Sequence, residues 1–326
     1  MSKLASILDK YSRILLLFFI IAGMSLLKPE AFLTYENFST VIFQQAPFTI
    51  LMSFGMTLAI ITKGIDKSMG SILVLTSVLC AAFIKQEQYI IGIALALALG
   101  ILCGFLNGIL ITRVGVAPFI ATYGIEYTAL GLAFVYTGGQ YIYDFPPVFR
   151  SIGIGTVFGI PNLALITFLI FIVLYFLTRM TTFGRRMYSA GFNFNATTLS
   201  GISAKNTVTL VYIINGLLAA VAGILYMARL NAADPGISGN FTLDSIAATL
   251  IGGTSFGGGK GSVAGTVIGS LIIVFIRNSM NIMGVSTTWQ QTAVGFIIVF
   301  SILLEAATRY ISNKAKSLGM VSIDAG

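Results

Sequence analysis

The chain has 326 residues, 56% of them hydrophobic and 9% charged, with a mean hydropathy of +0.94. Soluble domains carry about 25% charged residues, which excludes a water-facing globule. The net charge of +8 reports membrane topology before it reports nucleic-acid binding. With no histidine and only Cys80 and Cys103, the sequence offers no zinc cluster, disulfide framework or His-based catalysis.

Apolar runs of about 17–25 residues mark helices that cross a bilayer. They are too long and too uniform for the roughly 10-residue alternating strands of a membrane barrel. The expectation is an all-α polytopic membrane protein. It is not an enzyme, it needs no cofactor or metal, and residues 1–326 form one transmembrane domain.

Ten spans follow in chain order: 14–28, 41–62, 68–84, 90–112, 116–136, 160–178, 207–229, 241–252, 262–283 and 289–307. The first has the look of a signal-peptide core. However, Lys28-Pro29-Glu30 follows it without a small-residue cleavage site, so it is read as retained. Asp66, just ahead of the third span, is placed to cap the helix that follows. Gly100, Gly104 and Gly108 in the fourth span, and Gly261, Gly265 and Gly269 at the ninth, form tandem GxxxG patterns that let helix backbones approach closely. Their placement near the same point of each half suits an inverted repeat of two five-helix halves; a chain with 35 glycines also allows chance.

Glu126 sits midway along the fifth span. A carboxylate at that depth faces a bundle interior or a cavity, so Glu126 either lines a pathway or joins an internal ion pair, with Arg277 of the ninth span as the candidate partner. The long external loop 138–159 gathers Tyr141, Tyr143, Phe145 and Phe149 around Pro146-Pro147, read as an interfacial belt or as a platform for an external partner.

Residues 179–206 interrupt the apolar pattern with Arg179, Arg185, Arg186 and Lys205 and no acid. Breaks at glycine and asparagine predict one or two short helices, with Phe192, Phe194, Leu199 and Ile202 giving them an apolar side for docking. The eighth span is short enough to be broken or re-entrant unless it starts near Gly236. Asp244 is read as its N-terminal cap. The stretch 252–261 is glycine-rich, but Thr254 and Gly261 stand where a phosphate loop needs Gly and Ser or Thr. It is read as a tight turn.

With the N-terminus inside, the inner segments hold Lys3, Lys10, Arg13, Lys63, Lys67, Arg113, Arg179, Arg185, Arg186, Lys205, Lys260, Arg309, Lys314 and Lys316. The outer segments hold only Lys28, Lys85, Arg150 and Arg229. That asymmetry supports a cytoplasmic N-terminus.

Several of these stretches together resemble a known family. Gly64-Ile65-Asp66-Lys67-Ser68-Met69-Gly70-Ser71 is similar to its GID-x-S-x-GS motif. Asn107-Gly108 and Pro118-Phe119-Ile120-Ala121-Thr122 follow at the expected spacing. Thr182 to Ile202 is similar to TxxGRxxxAxGxNxxAxxxSGI, and Leu243-Asp244-Ser245, Gly252-Gly253-Thr254-Ser255 and Gly258-Gly259-Lys260-Gly261 complete the run. The family is that of the membrane permeases of binding-protein-dependent ABC importers, in the ribose, galactose, xylose and autoinducer-2 branch, and the resemblance covers roughly residues 35–305.

The resemblance implies a bacterial inner-membrane subunit that pairs with a second permease, works with two cytoplasmic ATPase subunits and receives its solute from an external binding protein. It implies that residues 185–202, including Arg185, Gly191, Asn193 and Gly201, couple to the ATPase. It also places Asn107, Phe119 and Thr122 with Glu126 on the translocation path. Lys67, Tyr123 and Glu126 depart from the family pattern, as do Phe192, Phe194 and Asn195 in the coupling segment. Rival readings are a permease for branched-chain amino acids or another small polar solute, and an ion-coupled secondary transporter.

Overall fold

The computed structural model describes residues Lys3–Ser317, with side chains described from Ser12 to Leu303 except at 238–240. The expectations resting on Lys3, Lys10, Arg309, Lys314 and Lys316 therefore concern side chains outside that set, and the ends of the 1–326 domain lie outside the described residues.

The chain is nearly all helix. In order it forms α1 (Lys3–Leu27), α2 (Pro29–Phe32), α3 (Tyr35–Ser39), a π-helical stretch (Thr40–Gln45), α4 (Ala46–Ile61), α5 (Met69–Ile84) and α6 (Tyr89–Ile109). A second π-helical stretch (Leu110–Val114) leads to α7 (Pro118–Thr137), β1 (Ile142–Tyr143), α8 (Pro147–Ile154), β2 (Thr156–Val157), β3 (Ile160–Pro161) and α9 (Asn162–Met180). Then come α10 (Thr182–Phe192), α11 (Phe194–Leu199), α12 (Ala204–Leu230), β4 (Ala232–Ala233), α13 (Ser238–Ile251), α14 (Val263–Ile282) and α15 (Thr287–Ser317).

Among the described residues, six helical stretches are long and apolar enough to cross a membrane: Tyr35–Ile61, Tyr89–Val114, Pro118–Thr137, Asn162–Met180, Ala204–Leu230 and Val263–Ile282. Shorter apolar helices occupy Ser12–Leu27, Met69–Ile84, Phe241–Ile251 and Thr287–Leu303. The chain is a multi-pass membrane protein. Each of the ten apolar runs read from the sequence overlaps one of these helices, six of which are long enough to cross and four of which are shorter.

The core is built on α4, whose 16 residues are all buried, and on α5, most of whose residues are. A helix buried on every face has no stripe to present to lipid, and its sequence is apolar all round. At 1.5 Å per residue, α5 and α13 span about 24 and 21 Å, less than the roughly 30 Å of hydrocarbon. In the irregular stretch ahead of α5, Gly64, Asp66 and Ser68 are buried while Lys63 is exposed and Lys67 half-buried; such backbone is tolerated at depth where protein or a water-filled cavity covers it.

Small residues set the closest helix contacts. A Cβ on Gly104 would collide with the Tyr212 carbonyl of α12, and one on Gly100 with the Gly216 carbonyl; Gly108 faces Thr209. On α14, Gly265 and Gly269 lie against Gly252 and Ala248 at the end of α13. Gly261 departs from this scheme. It precedes α14 and sits in the 252–261 turn against Thr254, so only two of the three glycines at the ninth span lie on the helix.

The loop 138–159 is not a uniform aromatic belt. Phe145 and Phe149 are buried in the core with rings 5.8 Å apart, whereas Tyr141 and Tyr143 are exposed. The loop is fixed by α8 and by β1, which pairs antiparallel with β4 beyond α12.

Candidate functional site

After α4 the chain runs without regular structure through 62–68 before α5 begins. Three buried ties fix this stretch. Ser68 donates to Asp66 Oδ1 through its hydroxyl (2.6 Å) and its backbone N–H (3.1 Å); Ser68, not Asp66, is the N-cap of α5, and Asp66 takes no N–H from the helix itself. Asn215 of α12 donates to Asp66 Oδ2 at 3.2 Å, and Asn107 of α6 donates to the Ser68 hydroxyl at 2.8 Å. Asp66, Asn107 and Asn215 are wholly buried. Asn107 thus braces the stretch from behind. A carboxylate at this depth is tolerable because every donor it meets is preorganised.

The bracing aims Lys67 outward. Its backbone N–H donates to Thr122 Oγ1 of α7 at 3.1 Å, and its ammonium lies 2.6 and 2.8 Å from the two carboxylate oxygens of Glu126. The ammonium also sits 4.9 Å from the centroid of the Tyr123 ring. Glu126 is eight residues into α7, about 12 Å along it. Lys67, expected in a cytoplasmic segment, therefore has its charge inside the helical layer. Thr122 is buried, while the Lys67 and Glu126 side chains are 30% and 10% exposed.

One turn apart on α7, Phe119, Tyr123 and Tyr127 share a face. Phe119 stacks on Tyr123 at 5.7 Å, Tyr123 meets Tyr127 edge-on at 4.9 Å, and the two tyrosine hydroxyls bond at 3.2 Å. All three are exposed. An aromatic ladder with an ion pair at its side offers flat apolar faces beside strong donors and acceptors, the chemistry that holds a polyhydroxylated ring.

The ion pair sketched from the sequence is corrected. Glu126 pairs with Lys67, and Arg277 pairs with Asp244 at 2.6 Å. Asp244 is not a cap either, since α13 starts at Ser238 and Asp244 lies in its interior. The sequence signal for Lys67 was its charge beside an apolar run. Nothing in the sequence marked Asn215 as a partner of Asp66.

At the opposite end of the bundle from α8, residues 179–206 fold as two short helices. Asn193 ends α10 and caps α11, accepting from the Ala196 N–H at 3.0 Å. Gly191 is buried, and a Cβ there would strike the Ile61 carbonyl. Gly259, at φ +72°, donates its N–H to the same carbonyl at 2.8 Å, Lys63 donates to the Phe192 carbonyl at 3.1 Å, and Tyr188 donates to the Gly261 carbonyl at 2.9 Å. Burial pushes the Tyr188 hydroxyl above its usual pKa, with the Arg179 charge opposing, so it stays a donor at neutral pH. Arg185, Asn193 and Gly201 are exposed, Gly201 with φ +80°. Phe192 and Leu199 stand out from the surface at 75% and 88% exposure.

Residues 38–302 match the family described as branched-chain amino acid transport system / permease component. The ribose import permease protein of Escherichia coli (strain K12) is 37% identical over 291 residues, covering 88% of this chain and 90% of that protein. The ribose import permease protein of Bacillus subtilis (strain 168) is 38% identical over 302 residues, covering 92% and 93%. The D-allose transport system permease protein of Escherichia coli (strain K12) is 36% identical over 299 residues, covering 91% of each. No solved structure matches the chain. The chain belongs to the branched-chain amino acid transport system / permease component family.

Proposed function

We propose that this chain is the membrane permease subunit of an ATP-driven importer that carries a monosaccharide across the bacterial inner membrane. The observation that carries this reading is the 36–38% identity, along about the whole chain, to permeases named for ribose and D-allose. The reading takes ten crossings with a cytoplasmic N-terminus and keeps the inverted repeat of two five-helix halves. A second permease completes the path, an external binding protein delivers the solute, and ATP is hydrolysed on separate cytoplasmic subunits.

In this reading Lys67, Phe119, Thr122 and Glu126 belong to the path wall, and Asn107 holds that wall from behind. A lysine side chain 30% exposed, with its charge at this depth, is not accommodated by hydrocarbon alone, which supports water, solute or a partner subunit against this side of α7. Residues 185–202 couple to the ATPase through the exposed side of α10 and α11. Arg185, Asn193 and Gly201 lie on the accessible surface, and Gly191 acts from the buried side by seating α10 on the turns at 61–64 and 258–261. A push on α10 and α11 is then transmitted to α4 and to the 62–68 stretch that carries Lys67.

The ion-coupled alternative is less supported, because the relatives at 36–38% identity are named as import permeases for ribose and D-allose, and Glu126 and Asp244 are both in ion pairs. Isolation of the chain from native membranes in mild detergent, with crosslinking, tests the assembly. An ATPase subunit and a sugar-binding protein are expected in the complex. A chain that comes away alone and still moves solute without ATP contradicts the reading.

A further inference from the structure

At the end of the bundle opposite α10 and α11, a cavity of 280 Å³ lies among the ends of α4, α12, α13, α14 and α15. It adjoins the stretch that carries Lys67: Thr242, between the lining residues Phe241 and Asp244 on α13, donates to the Lys67 carbonyl at 3.5 Å. One wall is aromatic: Phe48 meets Tyr226 edge-on at 5.3 Å, and Tyr226 meets Phe241 edge-on at 5.2 Å. The other wall is polar. It holds the Asp244–Arg277 pair, with Arg277 Nε buried and without a hydrogen-bond partner, and Arg229, which bonds Gln44 at 3.1 Å and lies 5.9 Å from the Phe48 centroid. Gln45 and the buried Gln290 complete it.

Most of these polar groups have protein partners, and the buried Arg277 Nε without one is the group that a polar guest would satisfy. The volume falls just under the roughly 300–1,000 Å³ of drug-sized pockets, which suits one small ring. Hydroxyl groups both donate and accept, and the cavity presents both kinds of partner: a carboxylate that uses one oxygen on Arg277, an unpaired guanidinium N–H and an amide. The three rings offer faces to C–H groups. The wall carries two arginines against one aspartate, and the neutral character of the guest comes from the sugar reading above.

We propose that this cavity is a binding site for a single neutral monosaccharide within one subunit, occupied before the solute reaches the α7 face. The assignment rests on the sugar reading above. It assigns Gln45, Phe241, Asp244 and Arg277 to solute recognition.

The test is equilibrium binding of radiolabelled ribose, allose and glucuronate to the full-length permease, purified with its accompanying subunits in nanodiscs without ATP. Wild type is compared with Gln45→Ala and Phe241→Leu, whose half-buried side chains can be changed without breaking the ion pair. Saturable binding of a neutral sugar, weakened about tenfold in each variant, is the expected result. No saturable sugar binding by wild type, unchanged binding in both variants, or preference for glucuronate overturns the assignment. ATP-driven uptake by the same purified complexes, reconstituted into proteoliposomes with the sugar-binding protein, separates the two readings. Wild-type sugar uptake alongside any of those binding results removes the cavity site alone, and absence of uptake of any sugar removes the sugar reading.

Discussion

A carboxylate midway along a membrane helix costs roughly 2.5–3.5 kcal/mol on insertion scales, and Lys67 offsets that cost for Glu126. Breaking a buried pair leaves an uncompensated charge, worth about 3–5 kcal/mol when fully buried and less here because the ammonium is partly exposed. Lys67→Met alone should therefore lower the thermal stability of the detergent-solubilised protein by about 2 kcal/mol. Lys67→Met combined with Glu126→Leu should recover most of it while changing transport. Melting curves of the single and double variants check this; equal loss in both would mean the pair is not the unit. The pair was half legible in the sequence. Glu126 announced itself as a charge at depth, but its partner lies 59 residues earlier in an irregular stretch, where no helical period reports direction. Arg277 was the wrong candidate because one-dimensional order says nothing about which of two distant helix faces meet. Lys67, Tyr123 and Glu126, three of the six departures from the family pattern, nonetheless converge on one spot.

Among the elements, α6 and α12 touch backbone to backbone where Gly104 meets Tyr212. Gly104→Ala must force the helices apart, a cost of about 1–3 kcal/mol. Gly124→Ala on α7 has open space around its Cβ and should be neutral or stabilising by up to about 1 kcal/mol through helix propensity. Thermal melting of the two variants should separate them in sign; similar values would remove the close-contact argument. In the 185–202 segment, proposed to couple to the ATPase, Asn193→Ala removes the cap of α11, a loss of about 0.5–2 kcal/mol. Gly191→Val unseats α10 from Ile61. Both should leave membrane insertion intact and lower the solute moved per ATP hydrolysed, measured as a ratio in proteoliposomes. An unchanged ratio in both variants would end the coupling role. Long apolar runs made the helices readable, and asparagine and glycine made the α10–α11 break readable. The start of α13 at Ser238 was less so, because Gly239 and Asn240 ahead of Phe241 carry no apolar period.

For the molecule as a whole, two features tie the ends together. The 62–68 stretch links α4, α6 and α12 through Asp66, Ser68, Asn107 and Asn215, and the turns at 61–64 and 258–261 seat α10. In the proposed coupling, motion imposed on α10 and α11 would reach Lys67 through these packed contacts. The most direct measurement is uptake of labelled ribose and allose into proteoliposomes holding the permease, its ATPase and its binding protein. Uptake should require ATP inside the compartment that faces the ATPase and should survive collapse of ion gradients by an uncoupler. Uptake that persists without ATP and stops with the gradients would contradict the account.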